Sequence, residues 1–328
     1  LLQAELQHLR GNLHFAAGNL DECRAAHQAA LAAADQAQSK EWRIRALGGM
    51  GDLGYASGTT ETARRYFQEC VTLADQEGLL RVATANRCML ADCRLFSLDV
   101  AEALRDIEMA LACARQIGDR YLEMFSMQCR SFVHLITGHN EEAAASTEQA
   151  LVLSRALKSD RYTYILLATM AATADVTVSS AQRMQYCQEA LELAERTSMA
   201  FGGPLVLAIT AQCEPDPDKQ PVWIKRGEEL LARSPLAHNQ ILFRRHAIDW
   251  AIERRQWSEA RRFAEQLRAF CAAREPIPYV EFVAERALAI ADLAEAPGDP
   301  VAVARLRSVR DKARARDLRF AFPVLEDD

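Results

Sequence analysis

The fold is decided by residues 121–159, which read YLEMFSMQCRSFVHLITGHNEEAAASTEQALVLSRALKS. In this stretch Gly138 is followed five residues later by Ala143, and then by the adjacent pair Ala150 and Leu151. The same frame recurs at intervals of forty residues on both sides. The corresponding positions are Leu98, Ala103, Ala110 and Leu111; Gly58, Ala63, Cys70 and Val71; Gly18, Cys23, Ala30 and Leu31; and Val178, Arg183, Ala190 and Leu191. A fixed period of this length indicates a repeat architecture in which neighbouring units stack on one another.

Each forty-residue unit has the pattern of two helices. In the first unit Gly18 suits the left-handed end of one helix, and Asn19 with Glu22 has the pattern of a capped start for the next. Small and apolar residues then recur at helical spacing and predict one buried face. The pattern predicts an all-α fold of about eight helical pairs. Five repeats fill residues 1–200, and more divergent pairs continue through residues 201–328.

The composition agrees with stacked helices. Half of the 328 residues are hydrophobic but 7% are aromatic, and short side chains let helices approach closely. The net charge of −6 argues against a chain that mainly binds nucleic acid. The charge is uneven, because residues 241–320 carry 16 Arg and Lys against 12 Asp and Glu.

The nine cysteines are scattered and form no CxxC pair. Cys23 and Cys70 occupy positions where sister repeats carry Ala, so we expect packed thiols in a reducing compartment, hence a cytoplasmic protein. No apolar run approaches the roughly 20 residues of a membrane span. The chain begins Leu-Leu without a methionine or a signal-like segment, and we expect it to be a piece of a longer protein.

The spacing of small and bulky residues resembles the tetratricopeptide repeat. The residues that carry the resemblance are Gly11, Gly18, Cys23, His27, Ala30 and Leu31 in the first unit, and Gly51, Gly58, Ala63, Phe67, Cys70 and Val71 in the second. The family's period is about 34 residues, so forty residues implies longer helices. Long repeats of this kind resemble the helical arms of large bacterial ATP-dependent transcription regulators and of modular nucleotide cyclases. The resemblance implies a right-handed α-solenoid.

In the tetratricopeptide family the first helix of each repeat lines a concave groove. By this resemblance the groove positions are Asn12, Asp52, Asp92, Phe132 and Ala172, then Phe15, Tyr55, Leu95, Leu135 and Asp175, with Arg45, Phe96 and Phe125 nearby. The resemblance implies a groove that is acidic in the first three repeats and apolar in the fourth. Members that capture an acidic peptide terminus need Lys and Asn at these places, and Asn12 alone matches. The alternative is that the aromatic residues pack between helices.

Motifs that would indicate catalysis are missing from the sequence. It has no GxxxxGK[ST] phosphate loop, no HExxH and no GxSxG, so we expect no catalytic residues, no cofactor and no metal. Gly48, Gly49 and Gly51 fall inside a predicted helix, where close helix approach explains them better than phosphate binding.

Arginines are concentrated in the last third of the chain. They are Arg244, Arg245, Arg254, Arg255, Arg261 and Arg262, followed by Arg305, Arg307, Arg310, Lys312, Arg314, Arg316 and Arg319. Basic helices can neutralise phosphates, but interleaved Asp and Glu residues favour a solvated, ion-paired face.

The sequence therefore predicts a non-catalytic regulatory arm that binds a protein or peptide partner, or attached domains of its own chain, with self-association as a further possibility. The first alternative is an arm that senses a small molecule for an attached ATPase or cyclase. The second is an enzyme, which would need a pocket of groups with shifted pKa values. Membrane and nucleic-acid partners are not expected.

Overall fold

A computed structural model describes residues 1–173, 178–234 and 236–321. Within these residues the chain forms sixteen α-helices and a 3₁₀ turn, Arg319–Ala321, without a strand. The predicted all-α fold of about eight helical hairpins is confirmed. The hairpins are α1 Leu2–Ala17 with α2 Leu20–Gln36, α3 Lys40–Ser57 with α4 Thr60–Gln76, α5 Leu80–Phe96 with α6 Val100–Gln116, α7 Arg120–Thr137 with α8 Asn140–Ala156, α9 Asp160–Thr173 with α10 Ser180–Thr197, α11 Met199–Cys213 with α12 Gln220–Leu231, α13 Ala237–Glu253 with α14 Trp257–Ala272, and α15 Pro278–Glu295 with α16 Pro300–Ala315.

The chain divides into two compact units. The N-terminal unit comprises Leu1–Cys129 and the short segment 236–238. The C-terminal unit comprises Arg130–Ser234 and the described residues from Asn239 onward. In the N-terminal unit consecutive helices α1 to α6 pack on one another, and α3 also contacts α1 and α5. The first helices of successive hairpins therefore lie side by side in this unit, as the repeat frame requires.

A left-handed backbone residue recurs every twenty residues from 18 to 158. The residues are Gly18, Gln38, Gly58, Gly78, Leu98, Gly118, Gly138 and Lys158. At Gly18 the turn is closed by two backbone hydrogen bonds, Gly18 N–H to Phe15 and Asn19 N–H to His14. Each reversal thus ends one helix and starts the next at a set distance. The capping role predicted for Asn19 was wrong, because its side chain makes no capping hydrogen bond and the backbone turn itself sets the helix start.

Small residues on the second helix of each repeat form the core. The members at the repeat positions are fully buried, namely Cys23, Ala30, Ala63, Cys70, Ala103, Ala110, Ala143, Ala150, Cys187 and Ala190. Short side chains here allow the neighbouring first helix to approach closely. The free cysteines among them are packed thiols, as the sequence predicts.

The glycines of α3 serve this close approach. The ring of His27 on α2 lies between Gly11 and Gly49, and a Cβ at these two positions would stand 2.5 and 2.2 Å from ring atoms. Gly51 faces Phe67 in the same way, with a Cβ distance of 2.5 Å. Burial lowers the pKa of His27 to about 4, so its ring packs in the neutral form. The prediction that this glycine cluster reflects close helix approach is confirmed.

We predict that Gln38→Gly stabilises the chain and that Gly78→Ala, at the same position of the next repeat, destabilises it. Gln38 is exposed at φ 51, so the substitution relieves left-handed strain without losing buried contacts. At Gly78, φ is 70 and nothing lies within 4 Å of an added Cβ, so the alanine adds strain alone. Each change is worth about 1 kcal/mol of unfolding free energy. Chemical unfolding of both variants measures it, and changes of the same sign would contradict the strain argument.

Candidate functional site

An aromatic and acidic cluster lies on the first helices of the N-terminal unit. Asp52 and Tyr55 are three residues apart on α3, and Asp92 and Phe96 are four apart on α5, so each pair shares one helix face. The rings of Tyr55 and Phe96 lie 6.0 Å apart between centroids. The structure therefore brings together four of the residues that the tetratricopeptide resemblance assigned to the groove. We call this set the acidic site.

The two carboxyl groups of the acidic site are desolvated. Burial raises the pKa of Asp92 to about 8 and that of Asp52 to about 7. Asp92 is 7% exposed and its Oδ1 has no hydrogen-bond partner, whereas Asp52 is half-buried. The unfavourable free energy of ionisation therefore falls mainly on Asp92. A buried carboxylate of this kind is stabilised by a cation that enters the site.

Tyr55 supplies the aromatic wall of the acidic site. Burial raises the pKa of Tyr55 well above its ordinary value, and Asp92 and the thiols of Cys93 and Cys129 add to the shift. The phenol therefore stays neutral and keeps its hydroxyl hydrogen. The His238 ring stacks on Tyr55 with the centroids 5.9 Å apart and the planes at 22°. This stacking holds the Tyr55 ring in one orientation beside the carboxyl groups.

Three other predicted groove residues make their contacts elsewhere in the N-terminal unit. Asn12 is exposed and hydrogen bonds His8 over 3.2 Å. Phe15 packs against the core cluster of Cys23, Met50 and Leu53. Arg45 pairs with Glu41 at 2.8 Å, and its guanidinium lies 5.5 Å from the centroid of the Trp42 ring. Their roles in binding stay predictions.

The predicted residues Phe96, Phe125 and Phe132 differ in burial. Phe96 is 1% exposed, so it packs beside the Tyr55 ring and offers little surface of its own. Phe125 and Phe132 lie on α7 and are half-buried, and a binding role for them stays a prediction. Asp175 lies outside the described residues.

Sequence reasoning missed His238 and the two thiols beside the acidic site. Cys93 is adjacent to Asp92 and its pKa is raised well above the ordinary value by burial, with Asp92 and Asp52 adding to the shift. The repeat frame could have indicated Cys93, since it follows a groove position directly. Nothing in the sequence relates His238 to Tyr55, because this contact joins distant segments and follows no period.

The basic residues of the last third are largely ion-paired. Arg261 contacts Asp292 and Glu295, and Arg262 contacts Glu228 and Glu259, with nitrogen–oxygen distances of 2.6 to 2.7 Å. Here the prediction of an ion-paired face is confirmed. The expected solvent exposure was wrong for Arg245, which is 6% exposed and pairs with Asp249 in the interior of the C-terminal unit.

No group of three or more His, Cys, Asp or Glu side chains in residues 1–173, 178–234 and 236–321 converges on a metal-sized space. Across the same ranges no helix has the length and apolar character needed to cross a membrane.

Known proteins share this helical architecture. The family model of the tetratricopeptide repeat matches residues 2–76. The apo form of RapI has a TM-score of 0.66 at 12% identity, over 82% of this chain and 97% of RapI. NprR in complex with its cognate peptide NprX has a TM-score of 0.67 at 14% identity, over 95% of this chain and 88% of NprR.

A third similar structure is a signal transduction ATPase with numerous domains from Pyrococcus horikoshii, which has a tetratricopeptide repeat sensor. It has a TM-score of 0.52 at 14% identity, over 95% of this chain and 47% of the ATPase. No curated protein matches the chain in sequence. At these identities the likeness shows a shared fold.

The fold and the repeat frame define a class of protein built from tandem helical hairpins. Within that class, residues 2–76 match the tetratricopeptide repeat family, and the described chain has the fold of a helical-repeat protein.

We predict that Asp92→Asn stabilises the chain at pH 8 and has little effect at pH 4. The pKa of Asp92 in the folded chain is about 8, above its unfolded value of about 3.9. The folded chain therefore binds the extra proton between these values, and stability falls as the pH rises through this window. Asparagine removes the ionisation, with a gain on the order of 2 kcal/mol at pH 8.

Urea unfolding of the wild type and the variant at several pH values tests this prediction. Asp21→Asn, at an exposed position of α2, is the control and should leave the pH dependence unchanged. If the difference in unfolding free energy between the wild type and Asp92→Asn is the same at pH 4 and pH 8, Asp92 ionises without a penalty and the prediction is wrong.

Proposed function

We propose that the chain is a non-catalytic regulatory arm that binds a protein or peptide segment at the acidic site. The observation that carries the proposal is the desolvated Asp92 carboxyl without a partner at Oδ1, which lies near Tyr55 and shares the neighbourhood of the Cys93 thiol with Asp52. An unpaired buried carboxyl destabilises the free protein, and a bound cation removes that penalty. Such an arrangement is typical of a binding site and not of a core designed for stability alone.

The chemistry of the site selects the kind of segment. A lysine or arginine side chain can donate charge-assisted hydrogen bonds to Asp52 and Asp92, and binding then shifts both carboxyl groups to the ionised form. The stem of such a side chain packs on the Tyr55 ring, and a guanidinium can stack on it. We therefore propose a basic residue as the anchor of the partner segment.

Fold relatives support a regulatory setting. The similar structures include NprR in complex with its cognate peptide and an ATPase with a tetratricopeptide repeat sensor. By analogy we propose that this chain serves a larger cytosolic signalling or transcription-regulatory protein of bacterial type. A small organic cation is the alternative ligand, since two carboxyl groups and one aromatic ring also suit an amine.

Helix α1 offers a surface for contact within such an assembly. It exposes leucines along one face, namely Leu2, Leu6, Leu9 and Leu13. The positions forty residues later on α3 include Ala46 and Leu53, which are buried. A row of exposed leucines at buried repeat positions is suited to receive another helix.

A positional peptide library tests the proposed function. We expect immobilised wild-type protein to select peptides with a fixed Lys or Arg. The double variant Asp52→Asn, Asp92→Asn should lose that preference and bind the selected peptides at least about tenfold more weakly, as truncated charge pairs do. The matched control is Asp21→Asn, Glu22→Gln, which removes two exposed carboxylates from α2.

Selection of peptides without basic residues, or equal selection by the double variant and the wild type, would contradict the proposal. If a free alkylamine displaces the selected peptides at the concentration at which those peptides themselves bind, the small-cation alternative is favoured.

A further inference from the structure

The C-terminal unit contains a second constellation, built around a buried carboxylate with two arginines. Asp249 on α13 accepts from Arg286 on α15 at 2.6 Å and pairs with Arg245 at 3.3 Å. The residues Arg245 and Arg286 are 6% and 2% exposed. Burial by itself raises the pKa of Asp249, but the two guanidinium groups outweigh it and hold the pKa below its ordinary value. The cluster therefore keeps one buried positive charge in excess.

An aromatic ring covers both guanidinium groups. The centroid of the Phe320 ring lies 4.9 Å from the Arg245 guanidinium carbon and 5.3 Å from that of Arg286. The same ring meets Phe282 edge to face at 5.9 Å and lies 6.3 Å from the Tyr279 ring. Four side chains from α13 and α15 thus surround one ring, and the ring faces stabilise the excess positive charge.

The backbone of Phe320 also packs closely against a glycine. Gly138, at the end of α7, leaves room for it, because a Cβ there would stand 2.1 Å from the Phe320 nitrogen. Three residues before Phe320, Asp317 Oδ2 lies 2.8 Å from His139 Nε2. The segment from Asp317 to Ala321 therefore lies across α15, α13 and the turn after α7, as a bound peptide would.

The receiving residues also contact one another. Arg245, Arg286 and Asp249 hold one another through their ion pairs, and His246 next to Arg245 bonds Gln212 at 2.9 Å. Within the segment Leu318 and Ala321 are fully buried, whereas Asp317 and Arg319 are exposed. Its 3₁₀ turn has one backbone hydrogen bond, from Ala321 to Leu318, and the Asp317 side chain is 58% exposed. A preformed pocket with a short, partly exposed occupant can exchange that occupant for another.

We propose that this pocket is a second peptide-binding site, for an aromatic residue that follows an acidic residue by three positions, and that the chain's own segment Asp317–Ala321 occupies it until a partner segment of the same pattern displaces it. The ring binds between Arg245 and Arg286, and the acidic side chain binds His139. This inference rests on the proposed function in taking the chain to be a peptide-binding arm, but it concerns different residues from the acidic site.

Binding of a defined peptide tests the inference. The probe is a fluorescent, N-acetylated peptide with the sequence of residues 317–321 in which Arg319 is replaced by Gln, so that it carries no basic group for the acidic site, and its anisotropy is measured with the full chain. Phe320→Ala empties the ring position, so we expect this variant to bind the peptide at least about tenfold more tightly than the wild type, whose site is filled in cis. The same peptide with Ala in place of Phe should not bind the variant. This second peptide leaves the protein's folding untouched.

Two further variants complete the experiment. Asp317→Asn keeps the ring but weakens the contact with His139, and asparagine tolerates the left-handed backbone at φ 51. We expect Asp317→Asn to bind the peptide about two- to threefold more tightly than the wild type, a smaller gain than that of Phe320→Ala. This gain tests the inference even if Phe320→Ala fails to fold. Phe270→Ala is the matched control, because Phe270 also lies against an arginine, Arg274 at 4.1 Å, and it should bind the peptide like the wild type.

Equal binding by wild type and both segment variants, or equal binding of the two peptides, would overturn the inference. A chain that selects basic peptides through Asp52 and Asp92 but ignores this probe would leave the proposed function standing and remove the second site alone. If the segment variants bind the probe but the chain selects no basic peptides, the second site stands and the proposed function is contradicted.

Discussion

The left-handed residue that recurs every twenty positions from Gly18 to Lys158 is the constraint on which the other features depend. Each such residue ends a helix and lets the next begin at a set register, so that α2, α4, α6 and α8 are all 17 residues long. Equal helices bring the same positions together in every repeat. Small buried residues then meet the neighbouring first helix in successive repeats. At Leu98 and Lys158 the backbone keeps this conformation without a glycine, which shows that packing of the flanking helices outweighs the local strain.

The two units place aspartates in opposite environments. Asp92 is desolvated without a partner at Oδ1, and its pKa is raised to about 8. Asp249 is also buried, but Arg245 and Arg286 reverse the direction of the shift. Similar burial therefore produces a carboxyl that resists ionisation in one unit and a permanent charge pair in the other. A cation from outside would stabilise the ionised form of the Asp92 carboxyl. In the second arrangement, the positive charge that remains on the two arginines is stabilised by an aromatic or anionic group.

Periodic features could be predicted from the sequence, and contacts between distant segments could not. The forty-residue frame placed Asp52, Tyr55 and Asp92 together, because helices in a regular array repeat their neighbours. It gave no sign of His238 against Tyr55 or of Phe320 against Arg245, since those contacts follow no period. Adjacent arginines also mislead, because neighbouring side chains on a helix point about 100° apart. One member of such a pair can be solvated while the other, like Arg245, lies in the core.

The regular spacing of the turns has a consequence for the history of the gene. A recombination event that duplicates or deletes one repeat's worth of codons leaves every later turn, buried face and groove position in register. A change of any other length in the first 160 residues would rotate the following helices out of their contacts. Chains of this kind can therefore lengthen or shorten by whole repeats, and the remaining helices keep their contacts.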